Sequence, residues 1–340
     1  MLHLTERGLY CAAGDFYVDP WEPVDRAVIT HAHADHAHRG SGHYLTARAG
    51  ETVLRLRMGP EASIQTVAYG ESIALNRVHV SLHPAGHIQG SAQVRIECDG
   101  EVWVVSGDYK LAADPTCTLF EPIRCHTFVT ESTFGLPIYR WPDPVEVLGE
   151  IRSWWRANQE AGKTSVIFAY ALGKAQRVLA GLEVDGVPVF THGAVEKVNE
   201  AYRAAGVALP ATHHVGSAGR QASWEGALVL APVLARGTPW MRRFGAAATA
   251  FVSGWMLIRG TRRRRAVDRG FVLSDHADWP GLLSAIQASG AERVWVTHGY
   301  SAVLARWLSE HGVAAEAVAT RFEGERDDLG EDLLAVAEGA

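Results

Sequence analysis

The sequence predicts an α/β protein in two parts, from three observations. Residues up to about 140 read mostly as short strands and turns. The block 142–268 alternates apolar strands with helical stretches. From 270 a second strand–helix run follows. Length and composition agree. At 340 residues and 47% hydrophobic, the chain is long enough for about two domains and a sizeable core.

The elements follow in order. Residues 27–30 (Ala-Val-Ile-Thr) form a short apolar strand ending at His31. Residues 78–83 alternate in polarity. Strands at 92–98 and 101–105 flank Asp99-Gly100, a two-residue hairpin signal. A strand at 128–130 ends at Glu131. At Trp141 the texture changes. Asp143 is a helix N-cap, Pro144 suits the first turn, and the helix runs to about Ala161 and stops at Gly162. Strand 165–169, helix 174–182, strand 187–190 and helix 194–205 follow, then buried strands at 228–230 and 248–252. This alternation argues for a parallel sheet covered on both faces. Next come strand 271–274, a helix from about 279, strand 293–297 and a helix from about 301. The tail after Phe322 is acidic.

Several classes are excluded. The longest apolar run, around 245–258, falls short of the roughly 20 residues needed to span a bilayer. The N-terminus carries no basic stretch before an apolar core, so no secretion signal is expected. Cys11, Cys98, Cys117 and Cys125 form no C-x-x-C pair and fit a reducing, cytoplasmic setting without membrane contact. A net charge of −6 does not advertise nucleic-acid binding. The densest basic stretch is Arg259, Arg262, Arg263, Arg264, Arg265 and Arg269. It reads either as a solvated face or as a contact for phosphate.

The chemistry concentrates in His31-Ala32-His33-Ala34-Asp35-His36. In an extended segment His31 and His33 point the same way, because side chains alternate with period two. They can grip one metal ion, while Asp35 and His36 lie just beyond and can grip a second. Imidazole and carboxylate together suit zinc, and also manganese or iron. A single histidine is usually a hydrogen-bonded core or surface residue. Four such groups crowded together without a cation would carry an uncompensated desolvation cost. His87 in Pro-Ala-Gly-His, Asp108 in Ser-Gly-Asp and His298 in Thr-His-Gly each sit where a strand meets a loop, and complete two coordination shells.

These motifs resemble the metallo-β-lactamase superfamily. With the insert at 142–268 they resemble its β-CASP branch, whose members are nucleases. Glu131 in Thr-Glu-Ser-Thr-Phe-Gly, His276 in Ser-Asp-His-Ala-Asp and the final His298 match that branch's further motifs, in order. The wording around them is most similar to the bacterial ligase-associated DNA exonucleases, and also resembles messenger-RNA 3′-end-processing factors. The resemblance implies a metallo-β-lactamase αββα sandwich built from 1–141 and 269–340, interrupted by a β-CASP α/β insert at 142–268. It implies that His31, His33 and His87 hold one divalent ion, that Asp35, His36 and His298 hold another, and that Asp108 bridges them. The ions would be zinc or manganese. Glu131 would pair with His276 near the scissile phosphate, so that Asp35, Asp108, Glu131 and His276 carry catalysis.

Two ions about 3.5–4 Å apart lower the pKa of water towards about 7 and neutralise charge growing on phosphate oxygens. His276 could then donate to the departing oxygen, with Glu131 stabilising its protonated form. The alternative role for this pair is to orient metal ligands. The expected activity is a two-metal DNA exonuclease for repair, favouring a 5′ end by resemblance, with a DNA ligase as functional associate. An RNA-processing nuclease, a small-molecule metallo-hydrolase and a metal-free binding subunit are the alternatives. The insert is expected to cover the site. Lys174 in 169–177 and Arg220 in 216–220 are candidate phosphate contacts at small-residue loops, and Arg262, Arg263, Arg264 and Arg265, just before the His276 motif in sequence, are further candidates. Each of the two loops reads equally well as an ordinary turn. Trp255 is a candidate base-stacking residue whose ordinary role would be core packing.

Overall fold

The computed structural model describes residues 1–184, 186–219, 222–258 and 267–321. They divide into two compact units: Met1–Arg140 with the residues from His276 to 321, and Trp141–Asp275.

The larger unit opens with β1 (Leu2–Thr5), β2 (Gly8–Cys11), β3 (Phe16–Val18), β4 (Arg26–Val28), β5 (His43–Ala47), helix α1 (Glu51–Met58) and β6 (Ile64–Val67). The six strands form one sheet in chain order. It is antiparallel from β1 to β3 and parallel from β3 to β6. A second sheet begins with β7 (Ser72–Leu75), β8 (Val78–Pro84), β9 (Ala92–Cys98), β10 (Glu101–Val105) and β11 (Thr127–Glu131). The β9–β10 turn has both central residues at positive φ, Asp99 at 51° and Gly100 at 82°. That matches the twist of a tight hairpin. The strand expected at 27–30 stops at Val28. Thr30 N–H turns away from the ladder to Asp19 Oδ1 at 2.8 Å, and the chain leaves the sheet.

The smaller unit starts with helix α2 (Pro144–Glu160), whose first turn is capped by Asp143 Oδ1 accepting from Val145 N–H at 2.8 Å. There follow β12 (Ser165–Phe168), α3 (Lys174–Gly181), β13 (Val189–Thr191), α4 (Gly193–Ala204), β14 (Thr212–His214), β15 (Leu228–Ala231), β16 (Ala248–Val252) and β17 (Arg269–Phe271). The sheet order is β14-β13-β15-β12-β16-β17, parallel throughout. Period-two alternation sends Ile167, Leu228, Leu230 and Val252 to one face, against Ile151, Trp155, Val178 and Val195 of the helices. Val166, Phe168, Val229 and Phe251 go to the other face, where Val215, Val233, Phe244 and Met256 cover them. That second cover is made of short 3-10 turns. The strand expected at 271–274 runs instead over Arg269–Phe271 and extends this sheet, so the chain stays in the smaller unit to Asp275.

The larger unit resumes with α5 (Trp279–Ser289), β18 (Arg293–Thr297), α6 (Ser301–Glu310) and β19 (Ala314–Ala317). Its second sheet then reads β19-β18-β11-β10-β9-β8-β7. The two sheets share a core in which Phe16, Val18, Val28 and Leu45 meet Val80, Leu82, Ile96, Trp103 and Val105. The opposite side chains of the second sheet, Val102, Val104, Phe128 and Val296, pack on Leu282, Ile286, Leu304 and Leu308 of α5 and α6. Among the described residues, no helix is long and apolar enough to cross a membrane.

Candidate metal centre

Strand direction sets up the site. β9 runs antiparallel to both β8 and β10, and β10, β11 and β18 are mutually parallel. Four strands therefore end at one edge, where Glu131 is the last residue of β11 and the loops after the other three carry His87, Asp108 and His298. The loop after β4 in the first sheet carries His31, His33, Asp35 and His36.

That loop is held by groups outside it. Asp19, in left-handed backbone with φ 43°, accepts from Thr30 N–H and from Thr30 Oγ1 at 2.6 Å. Its Oδ2 also lies 2.7 Å from His36 Nδ1. Arg57, buried, donates from Nε to the Ala32 carbonyl. Ser91 Oγ accepts from the His87 N–H at 3.0 Å. At the end of β18, His298 and Gly299 are both left-handed, with φ 53° and 61°. A Cβ on Gly299 would meet Ser132 O at 2.4 Å, so only glycine fits against the loop after β11. Ser132 Oγ donates to the Thr297 carbonyl at 3.0 Å and to that of His298.

The side chains converge. His33 Nδ1 lies 3.1 Å from both His31 Nε2 and His87 Nε2. One imidazole lone pair cannot serve two donors well. Nitrogens bound at 2.0–2.1 Å around a tetrahedral ion stand about 3.3–3.4 Å apart. The donor set therefore fits a cation. Asp108 Oδ2 faces His36 Nε2 at 3.4 Å, His31 Nε2 at 3.5 Å, His87 Nε2 at 3.8 Å and His276 Nδ1 at 3.9 Å. One ligand atom each from His31, His33, His87 and Asp108 lies within 4.8 Å of the others. On the other side of Asp108, His36 Nε2 is 3.8 Å from Asp35 Oδ2, and the His36 and His298 rings are 5.2 Å apart. This half is looser. Asp35, His36 and His298 line a cleft with Asp19, Trp21 and Ser106.

Electrostatics match the geometry. Burial pushes the His31 imidazole well below its ordinary pKa, helped by His36 and His87, so it stays neutral with its lone pair available. Burial opposes the charge on His36, but Asp108, Asp35 and Asp19 outweigh it and hold the ring well above the usual histidine range. Ionised carboxylates that hold a proton on this ring would equally hold a metal cation. Burial also opposes ionisation of Asp108. His36, His276 and His31 still hold it well below the carboxylate range.

Glu131 and His276 form a separate pair. His276 Nδ1 lies 3.0 and 3.1 Å from the two Glu131 oxygens, and both residues are buried. Glu131 also accepts from the N–H groups of Tyr109 at 2.8 Å and Thr133 at 3.3 Å. Both oxygens are thus engaged. This favours an orienting carboxylate over a metal ligand, although Asp108, Glu131 and His276 also come within 4.8 Å of one another.

The structure brings together every proposed ligand, and Glu131 with His276. It corrects the expectation for Lys174. That side chain is 1% exposed and its Nζ is paired with Asp275 Oδ2 at 2.8 Å, so it offers no surface cation to a phosphate. Trp255 packs partly buried against the core of the smaller unit. Arg220, Arg262, Arg263, Arg264 and Arg265 lie outside the described residues. Asp19 and Arg57 escape a reading of the sequence. The one signal for Asp19 is its place after a short strand, just before Pro20.

No family profile matches the chain. It is 31% identical over 318 residues to a probable DNA ligase of Opitutus terrae, covering 92% of this chain and 30% of that protein. It is 26% identical over 146 residues to RNase aCSPSF2 of Saccharolobus solfataricus, covering 41% of this chain and 29% of that protein. The chain thus spans under a third of the length of these two curated relatives. A solved structure, a protein of unknown function from Enterococcus faecalis V583, superposes with a TM-score of 0.60 at 11% identity, over 88% of this chain and 80% of that one. That likeness concerns fold alone.

Proposed function

We propose that this chain, which belongs to the β-CASP branch of the metallo-β-lactamase superfamily, hydrolyses phosphodiester bonds in nucleic acid, and acts on DNA as an exonuclease entering from a 5′ end. The observation that carries the reading is the Glu131–His276 pair beside Asp108 in the histidine cluster. A small-molecule hydrolase has less need of it, or of a unit the size of Trp141–Asp275. The two sheets with a shared core, and α5 and α6 outside one of them, support the αββα sandwich, with Trp141–Asp275 as the β-CASP insert, seven residues longer at its end than the sequence reading of 142–268.

When bound, two divalent ions, zinc or manganese, supply a nucleophile at neutral pH and neutralise the phosphate. His31, His33 and His87 would hold one, Asp35, His36 and His298 the other, with Asp108 shared. Asp19 fixes the His36 ring through Nδ1 and turns Nε2 towards Asp108. Glu131 holds Nδ1 of His276 and sets the ring's orientation. In its protonated form His276 donates to the departing oxygen.

DNA is favoured because the match to a probable DNA ligase covers 92% of the chain. A ligase joins only properly finished ends, and an exonuclease prepares them. The match to RNase aCSPSF2 favours RNA, but over a smaller share of the chain. The test is incubation with 5′-labelled and 3′-labelled single-stranded DNA and matched RNA, with zinc or manganese, beside Asp108→Ala. The expected result is release of mononucleotides from DNA, reduced at least about 10²–10³-fold in the variant. Cleavage of RNA alone would move the chain to RNA processing. Cleavage of neither, with two ions bound, would favour a small-molecule substrate.

A further inference from the structure

Two cations and one carboxylate are buried together in the smaller unit. Lys174 and Arg177 stand one turn apart at the start of α3 and share a face. Lys174 Nζ lies 2.8 Å from Asp275 Oδ2, and Arg177 Nη1 lies 3.1 Å from Asp275 Oδ1. Arg177 Nη1 also donates to the Ser274 carbonyl at 2.5 Å. All three charged residues are buried. The turn that carries the cations is itself fixed. Gly173 N–H donates to Gln176 Oε1 at 2.8 Å, and Gln176 Nε2 donates to Asn199 Oδ1 at 2.8 Å.

Buried ion pairs contribute little net stability compared with apolar packing, so stability alone is a weak account of this one. Its place in the chain is a better account. The residue after Asp275 is His276. Beyond it, Ala277 N–H bonds Tyr109 O at 2.6 Å and Trp279 N–H bonds Tyr139 O at 3.1 Å. The segment bearing the histidine is therefore gripped on both sides, by charge before it and by backbone after it.

We propose that Lys174, Arg177 and Asp275 are positioning residues for His276. They fix residues 274–275 so that the next ring stands with Nδ1 on both oxygens of Glu131. The inference rests on the nuclease reading, in which His276 assists the departing oxygen. It assigns the residues just before the histidine in the chain a part in aligning that group. A ring misplaced by about 1 Å can cost about a hundredfold in rate.

The test compares wild type with K174M, D275N and the K174M/D275N double variant, all with two ions bound. K174M is expected to lower kcat on DNA at least about tenfold with KM little changed. The loss on bis(p-nitrophenyl) phosphate, whose leaving group needs no proton, should be at least about tenfold smaller. K174R, which keeps the cation, should recover most of the loss. The double variant removes both charges of the Lys174–Asp275 pair and leaves Arg177 on the Ser274 carbonyl, which guards against a single variant that fails to fold. It should still unfold cooperatively and cleave slowly. Wild-type kcat in the double variant, or equal losses on both substrates, would overturn the proposal. Ring ¹⁵N signals of His276 in histidine-labelled protein give a readout independent of turnover. They should move in K174M, and unmoved signals would overturn the clamp. A wild-type protein that cleaves no nucleic acid would overturn the nuclease reading alone, and the ring signals would still decide the clamp.

Discussion

Both units contain parallel strands that deliver loops at one edge of a sheet, yet they fill those loops differently. In the larger unit the loops after β4, β8, β10 and β18, and the last residue of β11, carry imidazole and carboxylate. In the smaller unit the loop after β12 is Ala-Tyr-Ala-Leu-Gly and that after β16 begins Ser-Gly. Among the described residues at this end, Lys174, Arg177 and Asp275 are turned inward on one another. A strand end is a place where a site can be built. Whether it becomes one depends on a polar group left facing a shared point instead of satisfied by a neighbour.

The contrast can be broken by experiment. The largest effect is expected from His276→Ala, which should lower kcat on DNA about 10²–10⁴-fold while elemental analysis still finds two ions per chain. Loss of an ion would make His276 a ligand and erase the distinction between the pair and the metal cluster. Next, Ile167→Ala opens a cavity in the core of the smaller unit, where Ile167 is fully buried. It should cost about 2–5 kcal/mol in denaturant unfolding. Since that core shares no residue with those of the larger unit, metal content should not change. A parallel loss of metal would show that the cores do not act separately. Asp19→Ala removes the anchor of His36. It should weaken binding of one ion about 10–100-fold in a chelator competition, leaving the other near wild type. The smallest effect concerns pH. Burial opposes the charge on Glu196, but hydrogen bonds from Thr191, Thr212 and Arg203 hold it below the ordinary glutamate range. A depressed folded pKa gives stability that is present above the unfolded value of about 4.3 and is lost as pH falls through the folded one. Glu196→Gln should therefore flatten the fall in melting temperature below about pH 4.3. An unchanged acid limb would remove Glu196 from the account.

Legibility followed the same contrast. The string His31–His36 was readable because four candidate ligands in six positions have no ordinary packing role. Asp99-Gly100 was readable because its turn chemistry is local. The parallel insert was readable from alternation, down to Asp143 and Gly162 at the ends of the first helix. Most of the first sheet was not, since its strands run only three to five residues and give too little periodicity. Helix α1 was missed because polar and apolar residues mix along it. Asp19 was invisible because its meaning lies in Thr30 and His36, which reach it only in the fold. Lys174 misled for the converse reason. Its loop suits a phosphate, and the carboxylate that takes its charge is Asp275, far along the chain.

The scatter of the proposed ligands along the chain has a consequence for assembly. Three nitrogens and the shared carboxylate of the tighter cluster are all present once residue 108 has been made, whereas the other half waits for His298. At about 5–20 residues per second, the roughly 190 residues between them take about 10–40 s to synthesise. A ribosome-bound chain would thus hold the donors for its first ion well before those for its second. Metal loading would be staged by translation itself, with the tighter cluster complete before the looser one.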